Sequence, residues 1–592
     1  MINTTMKGCA TGLMLFALLT LCAAAPTDQP EVLRIRIIHT NDMHARFEQT
    51  SQRSGICSSQ DAASDQCYGG FARIAHLVRK IRNSSTSELP VFFLNAGDTY
   101  QGTKLFTAYK WKIVAKFLNI LKPDAASLGN HEFDDGVKGL VPFLNNVTFP
   151  VVTANLDLSD EPSLAHTKNL KNYTIFEVKN RKIGVIGYLT PETITISQTG
   201  DVKILDEVPV LQKFADELKA QGVDIIIALG HSGYDVDKKI AREVDGVDLV
   251  IGGHTNTFLY NGKVPDLERS EGFYPTEVVQ KSGRKAYVVQ AYAYTKYLGN
   301  LFVDFDRQGE ISRIQGKPIL VDHSVPQDQD VLEELKVWVE PLANVTKRVV
   351  GKTKVLLQGS EKTCRLRECN FGNMLTDAMI RYNAMNYQGD GWTDAPIAIH
   401  QSGGIRASIE KTNKGKVIME DLITAFPFGT KVVKVDVSAE ILRQAVEHSV
   451  HDRLSINETA HGGAFLQVSG LKVTYDLEKP KGSRVVDIQV RCGNCSVPVY
   501  EPIDPNATYK ILIPDFMYLG GDGFKMFKNT KMYNTDVVIA DLVADYITQE
   551  SPVYPGVEGR IRFGNDSFSV HTANGIYAFL VSCLVAIKSW FR

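Results

Sequence analysis

Leu33-Arg34-Ile35-Arg36-Ile37-Ile38-His39-Thr40-Asn41-Asp42-Met43-His44 is the stretch from which the rest of this 592-residue chain is read. Its first half, Leu33–Ile38, is rich in apolar β-branched residues and reads as a strand. Its second half turns abruptly polar and carries a carboxylate and an imidazole. In open α/β sheets the crevice beyond the carboxyl ends of the strands is where ligands bind.

The same order recurs four times downstream. Val91–Leu94 runs into Asn95-Ala96-Gly97-Asp98, and Ala125–Leu128 into Gly129-Asn130-His131-Glu132-Phe133-Asp134. Asp224–Leu229 runs into Gly230-His231, and Asp248–Ile251 into Gly252-Gly253-His254-Thr255-Asn256. Glycine lets a backbone turn sharply and approach a ligand closely. Taken singly, an Asp-x-His is usually a solvated loop and a Gly-Asp a turn. Five such endings in succession, each after an apolar strand, point to one shared site. Asp42, His44, Asp98, Asn130, His231, His254 and Asn256 form a mixed oxygen and nitrogen donor set suited to zinc, manganese or iron. Seven donors exceed what one tetrahedral ion needs. Two divalent ions sharing a carboxylate fit better, and that arrangement serves phosphoryl displacement.

Ile183–Tyr188 and Leu301–Phe305 read as further strands of the same α/β unit. From Gln327 the pattern becomes helical and charged, with Val331, Leu332, Leu335, Trp338 and Leu342 at helical spacing. The expected organisation is a leader at 1–25, a layered α/β domain at 26–326, a linker helix at 327–348, a second α/β domain at 349–563 and a terminal signal at 564–592. Apolar residues at 44% and charged residues at 22% describe a globular protein. A net charge of −2 offers no global field for nucleic acid, so any phosphate must be held locally.

The blocks HTNDMHAR, NAGDTYQGT, LGNHEFDDG and GGHTNTFLY resemble the 5'-nucleotidase branch of the calcineurin-like metallophosphoesterases. The resemblance spans about residues 33 to 563. It implies one ion on Asp42, His44, Asp98 and either His254 or Asn256. The other would rest on Asp98, Asn130, His231 and either His254 or Asn256, with Asp98 bridging. It also implies that His131 stabilises charge on the reacting phosphate while Asp134 orients the imidazole.

In the second half, Cys364-Arg365-Leu366-Arg367-Glu368-Cys369 carries two arginines in a small loop, and Gln401-Ser402-Gly403-Gly404-Ile405-Arg406 another after a glycine turn. Guanidinium forks match phosphate bidentately, although loop arginines are usually just solvated. The resemblance implies that Phe428 and Phe516 stack on the two faces of a base, that Asp522 receives ribose hydroxyls and that Arg365 and Arg406 hold the phosphate side. Gln401 stands where the family has Asn, which keeps the amide but lengthens its reach.

The ends and the cysteines suggest export. Lys7, the apolar Gly12–Leu21 and the small residues Cys22 to Ala25 read as a signal peptide. Asn565-Asp566-Ser567, the spacer Phe568 to Gly575 and the apolar Ile576 to Ile587 follow the order of a glycosylphosphatidylinositol attachment signal, with Asn565 as the attachment residue. A short membrane anchor is the alternative. Of nine cysteines, six fall outside these ends, in three close pairs: Cys57 with Cys67, Cys364 with Cys369, and Cys492 with Cys495. Local disulfides are expected. Sequons occur at Asn83, Asn146, Asn172, Asn344, Asn457, Asn494 and Asn506.

The expected activity is hydrolysis of extracellular nucleoside 5'-monophosphates, AMP to adenosine and phosphate, on the outer face of the plasma membrane. A homodimer through the second domain follows from the resemblance only. Two alternatives stay open: an apyrase acting on ATP and ADP, and an inactive nucleotide-sequestering surface protein.

Overall fold

The computed structural model describes residues 32–411, 413–451, 453 and 462–564. The leader at 1–25, Asn565 with the tail after it, and Asn457 lie outside the described residues. No helix among the described residues is long and apolar enough to cross a membrane.

Two sheets form the centre of the N-terminal half. In one, the strands Leu33–Thr40, Val91–Asn95 and Ala125–Ser127 lie side by side and parallel, with Tyr297–Phe305 antiparallel on the far edge of Leu33–Thr40. In the other, Arg181–Leu189, Ile225–His231 and Leu249–Ile251 are parallel neighbours. Leu33, Ile35, Ile37 and Leu94 from the first sheet share an apolar cluster with Ile225, Ile227, Leu249 and Ile251 from the second. The sheets therefore pack face to face. The helix Phe71–Asn83 and the helix Trp111–Leu121 cover the outer face of the first sheet. The helices Glu207–Ala220 and Tyr234–Glu243 cover the second. The result is a four-layered α/β/β/α sandwich with all five donor-bearing strands ending on one side.

The observed strands Leu33–Thr40 and Val91–Asn95 reach one or two residues further than the apolar runs alone indicate. His231 is the last residue of its strand rather than the first of a loop. Short strands such as Val151–Val152 and Lys285–Val289 were not expected from the sequence. Each pairs with a neighbour that supplies the order its own length cannot.

The helix Gln329–Val339 is capped by Asp328, whose side chain accepts from the Val331 amide. Its buried Val331 and Leu335 pack into the N-terminal core. Beyond it, Leu466–Ser469, Ile397–Gln401, Thr508–Pro514, Lys431–Ser438 and Lys531–Val538 form a five-stranded mixed sheet. The helix Asn370–Asn386 packs on that sheet. Cys57–Cys67, Cys364–Cys369 and Cys492–Cys495 are disulfide-bonded.

Candidate active site

The strand-end loops are held in conformations that L-residues rarely adopt. Asp42, His44, Asp98, His254 and Asn256 have φ of 50°, 46°, 52°, 81° and 51°. Left-handed backbone at non-glycine residues costs on the order of 1 kcal/mol or more each, and such strain clusters at functional sites. The loops brace one another: the Asp42 amide donates to the Gly97 carbonyl at 3.1 Å, and the His44 amide to the Asp98 carbonyl at 3.0 Å. Glu132 completes the brace. Its buried carboxylate accepts from the amides of Asp98, Gly129, Thr99 and Tyr100 at 2.7 to 3.1 Å. Gly253 is required for close approach, because a Cβ there would sit 2.7 Å from His231 Nδ1 and 2.9 Å from Asp42 Oδ2.

These constraints converge on one buried cluster. Asp98 Oδ2 lies 2.9 Å from His231 Nε2 and 4.0 Å from His131 Nε2. Asp42 Oδ1 lies 3.7 Å from His231 Nε2 and 3.9 Å from His44 Nε2. His254 Nδ1 is 2.9 Å from Asn130 Oδ1. Ligand atoms of Asp98, His231 and His254 fall within 4.8 Å of one another, as do those of His44, Asp98 and His131. His254 thus sits with Asn130 and His231. Asn256 lies on the His44 side, where its Nδ2 approaches the Tyr294 hydroxyl at 3.5 Å and the Tyr294 ring packs 5.4 Å from the His44 ring.

The donor set fits divalent cations on three observations. His231 Nδ1 is engaged by the Ala96 carbonyl at 2.7 Å, which leaves the buried Nε2 aimed at Asp98, 2.9 Å away, and at Asp42. Asn256 Oδ1 is buried and unpartnered. Electrostatics point the same way. Burial would lower the His231 pKa, yet Asp98 and Asp42 outweigh it and raise it to about 10, so this point in the cluster demands positive charge. Burial, with Arg406 and His131 nearby, holds His44 well below its usual pKa, in the neutral form a metal needs.

His131 stands at the rim. Its Nδ1 and Asp134 Oδ2 are 2.7 Å apart. Asp134 is itself fixed by the Ser197 hydroxyl at 2.7 Å and the Gln101 amide at 3.1 Å. Burial would lower the imidazole's pKa, but Asp134 and Asp98 raise it above its usual value.

A cavity of about 700 Å³ opens from this cluster between the two halves of the chain. Its far wall contains every residue expected to bind substrate: Arg365, Gln401, Arg406, Phe428, Phe516 and Asp522. Arg367, the other arginine of the small loop, is exposed. Gln401 is 4% exposed and its Oε1 is buried without a partner, a polar atom available to a ligand. Burial pushes the Asp522 carboxyl up to about 6. Phe428 stacks on His131, with ring centroids 5.8 Å apart and planes 23° apart, so the aromatic ring of one half touches the imidazole of the other.

Family comparison decides which enzymes share this arrangement. Residues 35–258 match the calcineurin-like phosphoesterase family, and residues 349–529 match the 5'-nucleotidase C-terminal domain. A Lutzomyia longipalpis protein, Protein 5NUC, is 46% identical over 551 residues, covering 92% of this chain and 95% of that one. Human 5'-nucleotidase is 41% identical over 536 residues, covering 90% and 91%. The chain belongs to the 5'-nucleotidase family. The crystal structure of a 5'-nucleotidase precursor from Thermus thermophilus superposes with a TM-score of 0.81 at 34% identity, covering 90% of this chain and all of that one. As a 5'-nucleotidase family member, the protein is a metal-dependent phosphoric monoester hydrolase.

Three contributors escaped the sequence reading. Glu132 lies inside the LGNHEFDDG block, but its task is to hold backbone amides, which no side-chain pattern announces. Ser197 follows no strand-end motif. Glu361 bonds Arg365 four positions on, at 2.9 Å, and the i, i+4 spacing of opposite charges was the available signal.

Proposed function

We propose that this chain hydrolyses nucleoside 5'-monophosphates, AMP above all, to nucleoside and orthophosphate. The single observation that carries the reading is the composition of the cavity. One wall is the His and Asp cluster, and the other combines two aromatic rings, a carboxylate and two guanidiniums. In this reading Phe428 and Phe516 hold the base, Asp522 takes the ribose hydroxyls and Gln401 offers its free amide oxygen. Arg365 and Arg406 attract the phosphate side.

Asp42, His44 and Asp98 with Asn256 would hold one divalent ion. Asp98, Asn130 and His231 with His254 would hold the second, and the nitrogen and oxygen donors suit zinc. When bound, two such ions would supply a nucleophile at neutral pH and offset charge on the phosphoryl oxygens. The protein's own residues do the rest. His131, kept protonated by Asp134, donates to a phosphoryl oxygen as charge builds on it. Asp134 fixes the imidazole's orientation, and Ser197 and Gln101 fix Asp134. Burial of the cluster excludes bulk water and strengthens each of these interactions.

The test is kcat/KM for AMP, ADP and ATP on one preparation. AMP should be highest. ADP or ATP ahead by tenfold, about 1.4 kcal/mol of transition-state discrimination, would make the protein an apyrase. Tight binding without turnover would make it a sequestering protein.

The domains are assigned to 26–326 and 349–563, joined by the segment 327–348. Export is supported by the three disulfides and by the exposed sequon asparagines Asn83, Asn146, Asn172, Asn344, Asn494 and Asn506. We assign the enzyme to the outer face of the plasma membrane, tethered by a lipid at Asn565 and dimeric through its C-terminal domain. A phosphatidylinositol-specific phospholipase should release it from intact cells. Recovery of an intact C-terminal tail peptide by mass spectrometry would reject the lipid anchor.

A further inference from the structure

His254 and Asn256 share the loop 252–257, and both hold left-handed backbone, with φ of 81° and 51°. Strain of that kind persists only where the surroundings over-determine it. Gln290 supplies much of that support. It follows the strand Lys285–Val289, which lies parallel to Leu249–Ile251, the strand that feeds the loop. Its side chain is fully buried. Nε2 donates to the Gly253 carbonyl at 3.1 Å, and Oε1 accepts from the Thr257 amide at 3.2 Å. One side-chain amide thus grips both ends of the stretch that carries the two ligands.

The grip is itself anchored. Nε2 also donates to Asp237 Oδ2 at 2.6 Å, and Asp237 Oδ1 accepts from the Tyr188 hydroxyl at 2.7 Å. A Cβ on Gly252 would meet Asp237 Oδ2 at 1.8 Å, so glycine there lets the loop lie against this carboxylate. The partners fix the orientation of the amide, since its nitrogen faces two acceptors and its oxygen an N–H. The residues after Gln290 reach the rest of the cluster. The Ala291 amide donates to Asn41 Oδ1 at 2.9 Å, and Asn41 Nδ2 donates to Asp42 Oδ2 at 2.7 Å. The Tyr294 amide donates to the Asp42 carbonyl at 2.8 Å. Residues 290–294 contribute no candidate ligand, yet Asp42, His254 and Asn256 are each held through them.

We propose that Gln290 is a positioning residue for both ions, because by bridging Gly253 and Thr257 it sets the separation of His254 and Asn256. The inference rests on the two-ion reading given above and adds the group that fixes the spacing of the pair. Gln290 holds strained backbone in the one shape that points an imidazole toward Asn130 and His231 and an amide toward His44. Removing a group that orients metal ligands costs roughly 10- to 100-fold in metal affinity. One side chain serves both ligands, so both sites should weaken together.

The test reads metal binding directly. Wild type and variants are stripped, reloaded with zinc and titrated against a competing chromophoric chelator, which gives a dissociation constant for each ion. Q290M keeps the side-chain volume but removes both hydrogen-bonding groups, and both constants should rise at least about tenfold. Q290N keeps the amide on a side chain one methylene too short to span Gly253 and Thr257. It should show the same loss, and it supplies the comparison should Q290M not fold. Q280M is the control for burial. Gln280 is buried in the same half, and its Nε2 donates to the carbonyls of Ala241, Val244 and Val247, away from the loop. That variant should melt at lower temperature and keep both zinc constants. A merely structural Gln290 would make Q290M behave in the same way. Unchanged zinc constants in the Gln290 variants, or a loss at one ion alone, overturn the proposal. A wild type that binds fewer than two zinc ions fails the two-ion reading itself, and the proposal with it, before any variant is compared.

Discussion

His131 sits between two opposing effects, and their balance sets its protonation. Burial disfavours the imidazolium, while Asp134 at 2.7 Å and the more distant Asp98 favour it, and the carboxylates win. A raised imidazole pKa keeps the cation present to higher pH, and it is lost as pH rises through that value. Asp134→Asn removes the first of the raising charges, so His131 loses its proton at lower pH. The alkaline limb of kcat against pH should shift downward, and kcat itself should fall by roughly 10²-fold, the scale of a misplaced proton donor. An alkaline limb that does not move would remove His131 as the titrating donor. At this scale the sequence was readable wherever side-chain chemistry and function coincide. His131, Asp134 and the seven donor residues all lie in motif blocks at strand ends, most of them beside glycine. Glu132 was not readable, because it serves backbone amides, and Glu361 was readable only through its spacing to Arg365, because its other partners lie up to 105 positions away.

Strand ends are the elements that build the cluster, and they were legible because an apolar β-branched run followed by glycine and a donor leaves little else to form. The boundaries differ by one or two residues because the polar His39, Thr40 and Asn95 still pair in the ladder. Two-residue strands such as Val151–Val152 carry no periodicity of their own and exist through Ala126 and Ser127 on one side and Leu170 and Lys171 on the other. The loops after the strands tolerate little. At Gly253 an added Cβ would press on both His231 and Asp42. Gly253→Ala should therefore lower metal content measured on the purified protein by at least about tenfold in affinity, the scale of disturbed ligand orientation. Wild-type metal content and activity in that variant would show that the two ligands are not held where the cluster needs them.

At the scale of the whole molecule, the two halves meet through contacts that no local pattern could announce. Lys104 bonds Glu420 at 2.5 Å and Glu48 at 2.9 Å, and the Ser51 hydroxyl donates to Glu410 at 2.6 Å. Lys104 is 6% exposed, so its pairing is a buried one, and removing the lysine would strand the buried carboxylate of Glu420. Phe428 of the second half stacks on His131 of the first, so on the proposed binding mode a relative movement of the halves would separate these rings. The central claim is that Asp98 would be the ligand shared by two divalent ions at the cluster, and that the cluster serves hydrolysis of a monophosphate held between the halves. Its most direct test is Asp98→Ala, assayed for bound divalent metal and for AMP hydrolysis alongside His131→Ala. Asp98→Ala should lose both ions and lower kcat/KM by at least about 10²-fold, while His131→Ala keeps the metals and loses turnover. Full AMP hydrolysis by Asp98→Ala would contradict the account.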